Sequence, residues 1–158
     1  MKHFGLTLLT FCIGVTCSAT AEALDSGSFK IDIPNQWQLV KSDNNTYLYK
    51  NKAEDKIRLT YTDAFETYDR SEEVLKNVMQ ESAVQPGLKI KTPLKKYKIG
   101  RHNIWFIGSS TQTESQFLYQ YGLVGSDQVI FIAHTGKGVK PEDKNELINS
   151  LSKLEWLN

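Results

Sequence analysis

The sequence predicts an α+β domain, an antiparallel β-sheet flanked by helices, from three observations. Strand-like runs, either alternating with period two or built from β-branched and aromatic residues, fill most of the chain. Two stretches, after Asp69 and after Pro141, repeat apolar residues at helical spacing. Short polar turns such as Gly125-Ser126-Asp127 join neighbouring strands, as antiparallel hairpins require.

The elements follow in order. Met1-Lys2-His3 is a short positive segment, and Phe4 to Val15 is an uncharged, mostly apolar run. Small residues come next, with Ala19-Thr20-Ala21 fitting the pattern read by signal peptidase. Twelve residues at a rise of ~1.5 Å reach about 18 Å, short of a ~30 Å hydrocarbon core. Residues 1–21 therefore read as a signal peptide cleaved near Ala21, and 22–158 as a single exported domain, periplasmic or secreted. Cys17 offers a lipid-anchor alternative. Against it, Gly14-Val15-Thr16 lacks the large aliphatic residue expected three positions before a lipidated cysteine.

Phe29, Ile31 and Ile33 alternate with polar residues and define a half-buried strand stopped by Pro34. Asn35-Gln36-Trp37 is then a turn carrying a large aromatic. Thr46–Lys50 and Ile57–Tyr61 are two further strands, joined by the polar loop Asn51–Asp55. Asp69 or Ser71 caps a helix running to about Ala83, with Val74, Leu75, Val78 and Met79 at helical spacing. Asp69 and Glu72 have capping-box spacing. Pro86-Gly87 ends that segment.

One or two weaker strands are expected between Leu88 and Ile99, then three strong ones at Ile104–Ser109, Phe117–Val124 and Val129–Thr135. Ile104–Ile107 and Val129–Ile132 are apolar on both faces, as central strands are. Pro141-Glu142-Asp143 opens a last helix whose buried stripe is Leu147, Ile148, Leu151 and Leu154.

Composition narrows the function classes. The chain has 158 residues, one ordinary domain, and its formal charge is +1, which gives no reason to expect nucleic acid as a partner. Cleavage after Ala21 would remove Lys2 and make the domain neutral. It would also remove both cysteines, Cys12 and Cys17, and with them thiol chemistry and disulfides. No further run is long enough for a transmembrane span.

His102 and His134 show no metal-ligand spacing, and His134, at the end of a strand, is expected to reach solvent. No serine-hydrolase elbow, dinucleotide loop or phosphate loop is present. The acid pairs Glu72-Glu73 and Glu142-Asp143 sit where helix first turns favour them. Asn44-Asn45-Thr46 is a formal glycosylation sequon, discounted because the signal looks bacterial. No catalytic residue, metal site or cofactor is assigned.

One segment stands apart. No acidic residue falls between Glu81 and Glu114, while Lys89, Lys91, Lys95, Lys96, Lys98 and Arg101 cluster together. A strand there, alternating Leu88 and Ile90 with Lys89 and Lys91, is expected to bury the aliphatics and show lysines on one face. That face suits an anionic partner, another envelope protein or an anionic surface; lysines guarding an exposed sheet edge are the plainer explanation. Trp37 is the other candidate contact, against a packing role in the core.

The opening Phe29-Lys30-Ile31-Asp32-Ile33-Pro34-Asn35-Gln36-Trp37, the helix after three strands and the closing Leu147-Ile148-Asn149-Ser150-Leu151 together resemble the PsbP-like superfamily. That group includes PsbP, Mog and DcrB-like exported proteins. Gly100-Arg101-His102-Asn103-Ile104 occupies the place of the glycine that introduces a strand in its second half. The resemblance implies an α/β/α sandwich and a non-catalytic role in assembly or partner binding, with no active site to carry over. Two classes of function fit: a periplasmic interaction or assembly module of the cell envelope, or an envelope inhibitor, immunity-type protein or enzyme with an unrecognised site.

Overall fold

A computed structural model describes residues 22–138 and 141–157. The proposed signal segment, with Cys12 and Cys17, lies outside the described residues, as do the side chains at the start of the last helix.

Seven strands form one antiparallel sheet in the order β3-β4-β5-β9-β8-β7-β6. They are β3 (Gln38–Asp43), β4 (Thr46–Lys50), β5 (Lys56–Asp63), β6 (Leu88–Ile99), β7 (His102–Thr111), β8 (Gln116–Val124) and β9 (Gln128–Lys137). A second sheet, β1 (Glu22–Asp25), β2 (Phe29–Ile33) and β10 (Glu155–Trp156), is ordered β1-β2-β10. Helices α1 (Tyr68–Ala83) and α2 (Pro141–Ser152) complete the chain.

Alternation assigns the two faces of the large sheet. Ile57 and Leu59 of β5, Ile104 and Phe106 of β7, Tyr121 and Leu123 of β8, and Ile130 and Ile132 of β9 bury against one core. Phe29, Ile31 and Ile33 of β2 and Leu147 and Leu151 of α2 close that core from the other side. On the opposite face Leu75, Met79 and Ala83 of α1 pack on Ile107 and Val129. The layers are α1, the large sheet, then α2 with the small sheet. The expected sandwich holds, except that one outer layer is half sheet. Apolar burial on both faces accounts for the continuous apolar runs of β7 and β9.

Three strands are additions to the sequence reading. β1 and β10 are short edges, and β3 is exposed along its whole length, so none carries an alternating apolar signal. Helix α1 is capped two residues before Asp69 and four before Ser71, the two expected caps. Thr67 is the N-cap, and its hydroxyl oxygen accepts the Arg70 N–H at 3.2 Å. Ser71 lies inside the helix, donating to the Thr67 carbonyl and accepting from the Phe65 N–H. The buried stripe is Ser71, Leu75, Met79 and Ala83, while Val78 is 45% exposed. A single row of residues four apart is what a helix shows when it lies on a narrow strip of sheet. Gly122 of β8 provides that strip, facing Leu75 and Met79 without a side chain of its own.

The closing segment ties the layers together. Trp156 pairs with Phe29 and its ring covers Gly125, while the Leu157 N–H donates to the Ser28 carbonyl at 2.9 Å. His102 Nε2 lies 2.8 Å from the Leu154 carbonyl, and the Arg101 guanidinium donates to the same oxygen at 3.4 Å.

Candidate functional site

Among the described residues β6 is an outer strand of the large sheet, paired with β7 alone. Its register slips between Ile90 and Thr92 and again between Thr92 and Lys95. Pro93, which has no N–H to donate, lies inside the second irregularity. From Lys95 to Ile99 the pairing is regular, running against Phe106 to His102.

Directly opposed residues share a face, so the register places each lysine. Lys95 opposes Phe106 and lies on the α2 side; Lys96 opposes Trp105 and Lys98 opposes Asn103, both on the α1 side. Lys89 opposes Ser110, and Ile90 opposes Ser109, whose hydroxyl bonds the Ala83 carbonyl of α1. The expected single lysine face is therefore corrected: the cations straddle the strand. Nor are the expected aliphatics buried, since Ile90 is 43% exposed and Leu88 is only half-buried. An outer strand lacks the neighbour that would cover them.

The six basic residues divide by what they touch. Lys96 donates to Glu72 Oε1 at 2.6 Å, and Lys91 lies 3.8 Å from Glu114. Arg101 is committed to the Leu154 carbonyl. Lys89, Lys95 and Lys98 form no ion pair among the described residues.

Glu72 is the hub that spacing assigned to a capping box. Its Oε1 accepts from Trp105 Nε1 at 2.9 Å as well as from Lys96, with the Tyr68 hydroxyl at 3.4 Å. Lys76 and Lys96 stand over the Trp105 ring at 5.1 and 5.3 Å. Partial burial pushes the Glu72 carboxyl up, but hydrogen bonds from Lys96 and Trp105 and the charges of Lys96 and Lys76 outweigh it, holding the group below its ordinary 4.5. The bond to Glu72 pushes the Lys96 ammonium up in turn. Lys96 is thereby locked to α1, tying the helix to the edge strand.

Trp37 is corrected as a surface candidate. It is 5% exposed and stands edge-on to His134 at 5.3 Å between ring centroids. His134 is itself fully buried, with Phe117 edge-on at 4.9 Å, and does not reach solvent as expected. β9 extends past it to Lys137, so the histidine lies within the strand and points into the core.

Among the described residues no group of three His, Cys, Asp or Glu side chains gathers as a metal site would need. No described helix is long and apolar enough to cross a membrane. A cleft of about 330 Å³ opens beside Tyr68, Arg101, His102, Asn103 and Trp156, where both basic residues are already engaged by Leu154.

No protein-family model matches the chain, and no curated protein sequence matches it. Solved structures do. A Bacteroides thetaiotaomicron protein superposes with a TM-score of 0.60 at 12% identity over 84% of this chain, which spans only 46% of that protein. The cyanobacterial PsbP (CyanoP) of Synechocystis matches 90% of this chain and 96% of its own length, with a TM-score of 0.58 at 10% identity. LpqN of Mycobacterium tuberculosis, described as involved in cell envelope biogenesis, matches 85% of this chain and 89% of its own, with a TM-score of 0.52 at 13% identity. At such identities the likeness is one of architecture, and the architecture is PsbP-like.

Proposed function

We propose that the chain is an exported, non-catalytic interaction module of the cell envelope that holds an acidic partner protein along β6. The observation that carries this reading is an open strand edge on which Lys89, Lys95 and Lys98 form no ion pair among the described residues. A planar anionic surface needs cations on one face, whereas these straddle the sheet. An extended acidic segment laid along Lys95–Ile99 alternates its own side chains the same way and meets lysines on both sides. The signal-like leader and the envelope role of LpqN support the setting; cleavage near Ala21 is tested by the mass of the exported chain.

Amide chemical shifts with a Glu-Glu-Val-Glu-Glu peptide, which carries glutamates on both faces when extended, test the site. Binding should shift β6 amides, weaken with salt, and fall about tenfold or more when Lys89, Lys95 and Lys98 become Glu. Absence of β6 shifts, or equal binding by the triple variant, overturns the reading. Binding to anionic phospholipid vesicles without peptide binding does so too, and assigns the edge to a membrane surface.

A further inference from the structure

Helix α1 covers only part of its face of the large sheet. Its contacts run mainly to β8, β7 and β6 and reach β9 around Val129, so the same face of β4, β5 and the Ala133–Thr135 end of β9 is left uncovered by the helix. A cleft of about 300 Å³ lies there, at the lower end of the size of small-ligand pockets. Its walls are mostly apolar, with Leu48, Leu118, Phe131 and Ala133. Lys56 and Arg58 of β5 stand at the same cleft, and neither forms an ion pair among the described residues.

The cleft also holds an amide with unspent bonding capacity. Gln120 is fully buried, lines the cleft, and its Nε2 has no partner among the described residues. Its Oε1 lies 2.7 Å from the Ser82 hydroxyl, which also lies 2.6 Å from the Val78 carbonyl. A hydroxyl has one proton and cannot serve both acceptors at once. With the amide turned over, Gln120 donates to Ser82, Ser82 donates to Val78, and the carbonyl oxygen becomes the atom left over. In either orientation one polar atom of a buried amide is unspent, a costly arrangement in an apolar wall.

We infer that this cleft binds an amide-linked carboxylate with an apolar body, the chemistry of a peptide C-terminus or an N-acyl amino acid. A peptide group carries both a donor and an acceptor, so it satisfies Gln120 whichever way the amide is turned. The carboxylate answers Lys56 and Arg58, and the apolar body answers Leu118 and Phe131. A neighbouring cleft of about 330 Å³ shares Lys56, Gln85, Leu118 and Thr135 with the first and runs on past the end of α1. That continuation gives room for the rest of a peptide. Neither cleft includes a β6 residue from Lys89 to Ile99, so this inference stands or falls apart from the partner edge.

Titration calorimetry and side-chain amide shifts test it with three probes: the free acid Ala-Ala-Leu, its C-terminal amide, and N-octanoylglycine. A carboxylate probe should bind, shift the Gln120 side-chain amide, and bind about tenfold or more tightly than the neutral tripeptide amide. Preference for the free tripeptide assigns a peptide source, and preference for N-octanoylglycine an acyl one. Arg58→Gln, an exposed change that leaves the fold intact, should weaken the preferred probe about tenfold. Gln120→Leu should weaken it as well without loss of thermal stability. The inference is overturned by equal binding of acid and amide, by binding that ignores Arg58→Gln, or by a Gln120 amide that none of the probes moves.

Discussion

Replacing Gly122 with alanine tests how α1 is seated. A Cβ at Gly122 would stand 2.7 Å from Leu75 Cδ2, 2.8 Å from Met79 Sδ and 2.9 Å from Leu75 Cδ1. The closest approach is about 0.7 Å inside ordinary van der Waals contact, steep on the repulsive wall. Leu75 is 3% and Met79 0% exposed, so neither side chain has solvent to swing into, and α1 must lift or both must leave their rotamers. Overpacking of this kind costs about 1–3 kcal/mol. With three contacts under 3.0 Å the cost falls in the upper part of that range, about 2–3 kcal/mol, and alanine recovers roughly 0.5–1 kcal/mol of the entropy a strand glycine forfeits, leaving a net loss of about 1–2.5 kcal/mol. For a domain of this size that lowers Tm by roughly 3–8 °C, measurable by calorimetry. Leu75→Ala alone should cost about 2–5 kcal/mol through the cavity it opens. Combined with Gly122→Ala it should cost less than the two added together, by about 1 kcal/mol or more, because the new methyl enters that cavity. A Gly122→Ala protein as stable as the parent, or two strictly additive changes, would refute the packing described.

Two further outcomes follow from contacts already located. Because the Glu72 carboxyl is held below 4.5 in the folded protein, its contribution is complete above that pH and is lost as pH falls through the lowered value. Glu72→Gln should therefore lose about 1 kcal/mol in urea unfolding at pH 7 and progressively less toward pH 3; a gap that widens in acid contradicts the assignment. At Gly125, an added Cβ would meet Trp156 ring atoms at 2.7 Å, and a rigid ring cannot fold out of the way. Gly125→Ala should detach β10 and speed hydrogen exchange at the Leu157 amide, whereas unchanged protection there would show that the ring does not hold the strand.

The legible parts of the fold were those whose side chains carry a period. Phe29, Ile31 and Ile33 announced β2, and the apolar runs of β7 and β9 announced strands covered on both sides. β3 was silent because all six of its residues are exposed, and Glu155-Trp156 is too short to show alternation. Val78 fitted the helical period yet faces solvent, because period alone does not say how wide a stripe the sheet will cover. For the candidate edge, the sequence showed the charge cluster but not its geometry. The slips around Pro93 and the opposition of Lys96 to Trp105 depend on pairing with residues that follow later in the chain. Glu72 satisfied a local spacing rule while its real partners lie 24 and 33 residues away. The buried Gln120 amide had no local signature, since its cleft is assembled from β4, β5, α1, β8 and β9.

The pairing of β10 with β2 bears on the timing of folding. Glu155 opposes Lys30 and Trp156 opposes Phe29, joining residues from nearly opposite ends of the described chain. Loop closure over that distance comes late, and the third strand of the small sheet cannot form until Glu155 and Trp156 have been made. A nascent chain therefore keeps Phe29, Ile31 and Ile33 incompletely covered until β10 has emerged. Until then β1 and β2 form only a two-stranded ribbon, short of the three strands that give a sheet independent stability.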